Sequence, residues 1–537
     1  MKLIQIKNFV GFWLAFCLCF IVKGQVVINE YSAANYDSFQ DNYGEYEDWV
    51  EIYNTSANNV DLNGWYLSDK ETNLTKWKFP SSFIVPAGNS ILVYCSGRDE
   101  IVGGNAHSNF RLTQTKGNEK IILSDATGAI VIDSLTVYPN QKGDSRGRTT
   151  NGASTWSVFQ IATPGANNFG AMQEYASSPI FSQNSGYYGA PISLSITSPD
   201  PNVTIYYTTN GDFPDNTATQ YTGPITVGST QVVKAVAYSN TANIPQSFIA
   251  YNTYFINSTH TIPILSISGN EVDDLLSGQP SWAVSGLEPT GTIEWFDANG
   301  NLIDKGAGEY NKHGNDSWAY DQRGFDYIMR DQFGYNYAIK DQIFHNKSRD
   351  KFQRLIVKAA ANDNFSFEDG AHIRDGYIHA LSQAADLRLD ERSYAPCIVY
   401  MNGDYWGVYE IREKVDDHDF TDYYYDQSKN NLQYLKTWGQ TWSEYGGPAA
   451  QNDWDTFKNF VLGNPMSVQA NYNQAKSQYN MGSLIDYFLV NMYVVSMDWL
   501  NWNTGWWRGM DPNGDKKKWR YTLWDLDATF GHYINYT

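Results

Sequence analysis

"SMDWLNWNTGWWRGMDPNGDKKKWRYTLWDLDATFG", residues 496–531, decides how the C-terminal half of the chain folds. The run before it, "GSLIDYFLVNMYVVSMDWL", reads as a helix. Ser483 stands at the N-cap with Asp486 three residues on, a capping-box-like start. Leu484, Ile485, Phe488, Leu489, Met492 and Tyr493 recur at helical spacing, so that face is expected in the core. The helix is expected to end near Met497, which puts Asp498 just past a rigid, buried support. Asn503 follows five residues later. "RYTLWDLDATFG" then starts as a strand. Alternation on a strand puts Asp525 and Asp527 on one face and Trp524 and Leu526 on the other. Two carboxylates spaced roughly 7 Å along a strand repel each other unless a cation lies close. Mg²⁺ suits such a place, because it takes oxygen ligands, often one or two carboxylates beside substrate phosphates. Asp511, Asn513 and Asp515 mimic the start of a calcium loop, but no Glu closes it at the twelfth position, so they read as a hairpin turn.

The rest of the chain frames this segment. It has 537 residues, 42% hydrophobic and 15% aromatic, enough for several packed cores. Only 18% of residues are charged, which argues against a mainly disordered chain. A net charge of −20 excludes binding to nucleic acid through a basic surface and disfavours anionic lipid. Lys2 and Lys7 precede the apolar run 9–22, and Gly24 follows it. This is a secretory signal-peptide pattern over residues 1–24, too short for a membrane span, so the protein is expected outside the cell or at its surface, with no transmembrane anchor. Cys95 and Cys397 lie far apart and read as buried thiols.

Three units follow the leader. Residues 25–170 show short alternating runs such as "VVINEYSA" and "DWVEIYN", broken by Asn, Gly and Ser, the pattern of a β-sandwich. Residues 177–256 form a second β unit, in which "TTNGDFPD" supplies a Gly-containing turn. From residue 259 the pattern is mixed α and β. "GTIEWFDANGNLIDKGAGEYNKHG" reads as a hairpin, and "APCIVYMNGDYWGVYEIREKVD" as two strands joined at "NGDYWG".

Resemblance adds to this reading. "INEY…DWVEIYN…VDLNGWYLSD", closing with "TPGANN", resembles the lamin-tail domain, an immunoglobulin-like sandwich. "VTIYYTTNGDFP…YTGPI…VVKAVAY" resembles the fibronectin-like domain at the C-terminus of chitobiases, which implies a spacer or binding module. "RGFDYIMRDQFGYNYAIKDQIF", "LIVKAAANDN", "IRDGYIHALSQ", "SMDWLNWNTGWW" and "WDLDATFG" are similar to the CotH (spore coat protein H) kinase family, in family order. The expected fold class is therefore multidomain: two all-β immunoglobulin- or fibronectin-like sandwiches, then an α+β atypical protein-kinase-like domain over 259–537, cut short of the family's helical C-terminal portion.

The same resemblance implies a site with Mg²⁺ and ATP as cofactors and an exported protein as substrate. Protein kinases place a catalytic Asp five residues before a metal-binding Asn, with a second metal-binding Asp after a hairpin. Asp498, Asn503 and Asp525 follow that order. Asp498 falls on the catalytic position, Asn503 and Asp525 on the metal positions, and Asp527 on an alternative or supporting one. Glu413 falls on a recurrent acidic position with a charge-pairing or nucleotide-orienting role. Lys358 and Lys436 both remain open as the phosphate-binding cation. No glycine-rich phosphate loop of the usual kinase form is visible, and bulky "WLNWNTGWW" stands where the family is smaller. The competing reading is a non-catalytic surface or carbohydrate-binding protein, with glycan contact through the β modules. A glycosidase fits less well, since paired acids would have to face each other across a cleft.

Overall fold

The computed structural model describes residues 25–278, 286–364 and 370–532. The expected signal peptide lies outside them. In the first unit, apolar residues on alternate positions face between two sheets of seven and four strands. Val26, Ile28, Val50, Ile52, Trp77, Cys95, Ile121 and Leu123 share one buried core. The second unit is built on a five-stranded sheet, with Leu194, Val227, Val233 and Tyr254 beneath it. Cys95 and Cys397 are both free and buried.

The third unit opens as a closed barrel of seven strands. Thr290–Phe296 and Leu302–His313 form the Asn-Gly hairpin expected from sequence, and Tyr394–Met401 and Asp404–Glu413 form the second one. Tyr394–Met401 closes the barrel by pairing in parallel with the first strand, Ile264–Ser268. Alternation sends Trp295, Phe325, Leu355, Val357, Val399 and Ile411 into the barrel core. Ile356 and Lys358 on the strand Arg354–Lys358 therefore face outward, toward helix α1 (Arg374–Ala384).

After the barrel come α2 (His418–Tyr425), α3 (Gly447–Gly463), α4 (Gln469–Gln478) and α5 (Met481–Tyr493). A four-stranded sheet accompanies them, in the order Gln440–Tyr445, Leu432–Trp438, Thr504–Gly509 and Arg520–Thr522. Three sequence expectations for α5 and its surroundings are corrected. Its N-cap is Asn480, whose side chain accepts from the Gly482 and Ser483 amides. Ser483 instead accepts from the Tyr521 amide, and Asp486 pairs with Arg388. The buried face carries Ser483, Asp486, Tyr487, Val490 and Asn491, while Ile485, Leu489, Met492 and Tyr493 are exposed. Polar residues win that face because each finds a fixed partner there. The strand near the end stops at Thr522, so Asp525 and Asp527 lie beyond it and do not share a strand face.

The units touch one another. The Gln114 amide of the first sandwich donates to Asp331 Oδ2 on the barrel at 2.8 Å, and Asn430 Nδ2, past α2, donates to the Gly97 carbonyl of that sandwich at 3.0 Å. No helix among the described residues is long and apolar enough to cross a membrane.

Candidate active site

A cavity of about 310 Å³ opens between the barrel and the helical part. Asp498, Asn503, Asp525, Lys358 and Lys436 all line it. They are scattered over a long stretch of sequence, and the fold brings them to one hollow.

Asp498 and Asn503 come from the segment after α5. Three non-glycine residues there take positive φ: Val495 at 52°, Leu500 at 71° and Asn503 at 48°. Asn adopts this conformation readily, whereas a β-branched Val does so at a cost, which marks the segment as one held in shape by its surroundings. Asn503 Nδ2 donates to Asp498 Oδ2 at 2.7 Å, so the amide nitrogen faces Asp498. Asp525 follows the hairpin formed by Thr504–Gly509 and Arg520–Thr522. The turn of that hairpin includes Asp511, which accepts from the Asn513 amide at 2.8 Å, as a turn-forming Asp does.

Lys358 is the hub. It is buried and ion-paired to both Asp375, at 2.9 Å, and Asp525. Burial alone would lower its pKa, but the Asp375 and Asp525 charges outweigh that and hold it above the usual lysine range. Asp375 sits in the first turn of α1, where Arg412 also reaches it at 3.0 Å. Burial opposes ionisation of Asp375, yet Arg412 and Lys358 hold its carboxyl well below the usual range. A strand lysine paired to an acid on the following helix is the arrangement that orders an active protein kinase.

Asp375 is the residue that the sequence reading missed. Glu413, read as charge-pairing or nucleotide-orienting, is fully buried and does not line the cavity. Glu413 pairs instead with Lys347 at 3.0 Å and Arg349 at 3.2 Å, and accepts from Tyr424. An available signal was "IRDGYIHALSQ", an acid in the first turn of a helix that follows a strand ending in Lys.

Lys436 lines the cavity but is held by Asp416 at 2.6 Å and Glu444 at 3.1 Å, with its ammonium 4.5 Å from the Trp524 ring centroid. Asp527 lies behind the cavity wall. It is buried, and its two oxygens accept from the Asn362 and Ala528 amides. Burial, and then the neighbouring Asp525 charge, push it up to about 8. Ala360 and Ala361, both left-handed at φ 58° and 49°, turn the chain after Lys358 just ahead of Asn362, whose amide meets Asp527.

Two further walls complete the hollow. The loop 314–323, between the strands Leu302–His313 and Gly324–Met329, contributes Gly314, Asn315, Ser317 and Gln322. The loop carries a single glycine, Gly314. Trp438 and Trp442 also line the hollow, and Trp438 meets Trp502 edge-on with ring centroids 4.8 Å apart. The Asp525 carboxylate and the Asn503 amide both bear oxygen, which fits a hard divalent cation such as Mg²⁺.

Comparison with known families identifies each of the three units. Residues 312–536 match the CotH kinase protein family. This unit is a CotH kinase domain. The match begins inside the strand Leu302–His313, so the first two barrel strands of the CotH unit precede it. Residues 21–139 match the Lamin Tail Domain, and residues 183–248 the chitobiase/beta-hexosaminidase C-terminal domain. Comparison with curated proteins finds no match to the chain. The chain is thus a multidomain protein with two β-sandwich units ahead of a mixed α and β kinase-like domain.

Proposed function

We propose that the CotH domain binds ATP with Mg²⁺ in this cavity and transfers the terminal phosphoryl group to a Ser or Thr hydroxyl of an exported protein. The observation that carries the reading is the convergence of Asp498, Asn503, Asp525 and Lys358 on one hollow. Asp498 takes the proton of the acceptor hydroxyl as its oxygen bonds to phosphorus and the bridging P–O bond breaks. Lys358 holds the phosphates, with Asp375 keeping it charged and aimed. Asn503 and Asp525 would hold Mg²⁺, which when bound neutralises charge developing on the phosphates. Asp527 shapes the Asp525 segment from behind. Lys358 is favoured over Lys436 because it pairs with Asp525, a proposed metal ligand, whereas Lys436 pairs with Asp416 and Glu444. The leader pattern over residues 1–24 supports an extracellular or surface location.

Phosphoryl transfer depends on positioning and charge stabilisation, so removal of Asp498 should cut turnover steeply and leave nucleotide bound. The test is thermal stabilisation by ATP with and without Mg²⁺, alongside transfer of labelled terminal phosphate to protein acceptors. A full chain that shows neither refutes the proposal.

A further inference from the structure

Helix α1 does more than supply Asp375. One turn further along the same face stands His379, 1% exposed and placed by the i, i+4 spacing beside Asp375. The two side chains grip the two peptide groups that flank Asp525. Asp375 Oδ1 accepts from the Leu526 amide at 3.0 Å, after Asp525. His379 Nε2 lies 2.9 Å from the Trp524 carbonyl, before Asp525.

The tautomer of His379 follows from its other contact. The Arg392 amide donates to Nδ1 at 3.1 Å, so Nδ1 is an acceptor and the proton sits on Nε2. Nε2 therefore donates to the Trp524 carbonyl, with Asp375 Oδ1 at 3.3 Å as a second acceptor. Burial keeps the imidazole below the usual histidine range, in accord with a neutral ring. The Trp524 ring is fixed as well, with the Arg392 guanidinium 4.9 Å and the Lys436 ammonium 4.5 Å from its centroid.

We propose that His379 is a positioning residue for the metal carboxylate: it clamps the Trp524 peptide so that Asp525 points into the cavity at the place where a nucleotide-bound cation sits. The proposal rests on the nucleotide–metal reading above and names the part that aims its acid. His379 touches neither nucleotide nor metal. Partners behind a metal ligand typically set its affinity by roughly 10–100-fold.

The test compares the full chain with His379→Leu and His379→Gln. Leu fills the space without a donor, whereas Gln carries an amide N–H at about the reach of Nε2. ATP affinity is measured by calorimetry with Mg²⁺ and with chelator, and amide hydrogen exchange is followed over 524–527. His379→Leu is expected to lose roughly 10–100-fold in the Mg²⁺-dependent affinity. Affinity in chelator should be unchanged, exchange at 524–527 should be faster, and Gln should restore most of both. A Leu variant that keeps the Mg²⁺-dependent affinity, or a Gln variant no better than Leu, overturns the proposal. If Leu fails to fold, Gln alone decides, and loss of its Mg²⁺-dependent affinity overturns the proposal. If the unmodified chain binds no Mg²⁺–ATP, the functional reading falls and exchange alone judges the clamp: acceleration in Leu with recovery in Gln sustains it, and no change refutes it.

Discussion

Replacing Asp375 by Asn removes one charge and almost no volume. Asp375 is 2% exposed, and it faces Lys358 at 3% and Arg412 at 0%. Loss of one partner from a buried ion pair costs about 3–5 kcal/mol, because the remaining charge stays away from water. Here Lys358 keeps Asp525, and Arg412 keeps Glu410 at 3.1 Å, so the lower end applies, about 3 kcal/mol. The Leu526 amide keeps an acceptor, since the Asn carbonyl oxygen can take the place of Oδ1. For a unit of this size, about 3 kcal/mol lowers the melting temperature by roughly 6–12 °C. Differential scanning calorimetry of the whole chain reads it. Lys358→Met in the same background should cost less than the two single losses added together, because the Lys358–Asp375 pair is already broken. An Asp375→Asn protein that melts with the parent, or costs in the double variant that simply add, would refute the account of Lys358 as a buried charge held by Asp375. Acid sharpens the test. Asp375 has a depressed pKa in the fold, so its stabilisation is present above the unfolded carboxylate range and is lost as pH falls below it. Asp375→Asn should flatten that acid limb.

Asp498→Ala should retain Mg²⁺–ATP binding by calorimetry while phosphate transfer falls by about 10²–10⁴-fold, the usual worth of a positioned base. Asp331, pushed up to about 7 mainly by burial, binds a proton in the fold that the unfolded chain has released. Stability should therefore fall as pH rises from the ordinary Asp range toward 7, and Asp331→Asn should flatten the fall in a melting series across pH. Leu489→Lys should shift stability by no more than about 0.5 kcal/mol, since Leu489 is 59% exposed; a loss of several kcal/mol on chemical denaturation would restore the core face read from sequence.

The family order and the spacing of short strands carried most of the architecture. Alternating runs bounded by Asn, Gly and Ser are direct records of half-buried strands, and the two barrel hairpins form where Asn-Gly turns stand. Asp498, Asn503 and Asp525 were legible because each sits at a fixed distance from a recognisable element. Asp375 was not, because its role depends on a helix packing against the outer side of a distant strand, which local pattern does not record. The α5 face was misread for a related reason. Hydrophobicity at helical spacing assigns burial to apolar side chains, but Asp486 and Ser483 are fixed by Arg388 and the Tyr521 amide on the inward side. The Asp525–Asp527 strand failed because the chain leaves the sheet at Thr522, where the Leu523 amide turns to the Asp390 carbonyl at 2.9 Å.

The first sandwich meets the third unit at several points, among them Gln114 on Asp331, Tyr36 against Phe333 and Gly97 under Asn430 beyond α2. Asp331 and Lys429, the residue before Asn430, line one hollow together with Glu47 and Arg111 of the sandwich. The sandwich thus holds the barrel segment at Asp331 and the segment after α2 at a fixed spacing, and any shift of one against the other must break one of these hydrogen bonds. The lamin-tail module thereby acts as a brace between two segments that are distant in sequence, and loosening it would free one against the other.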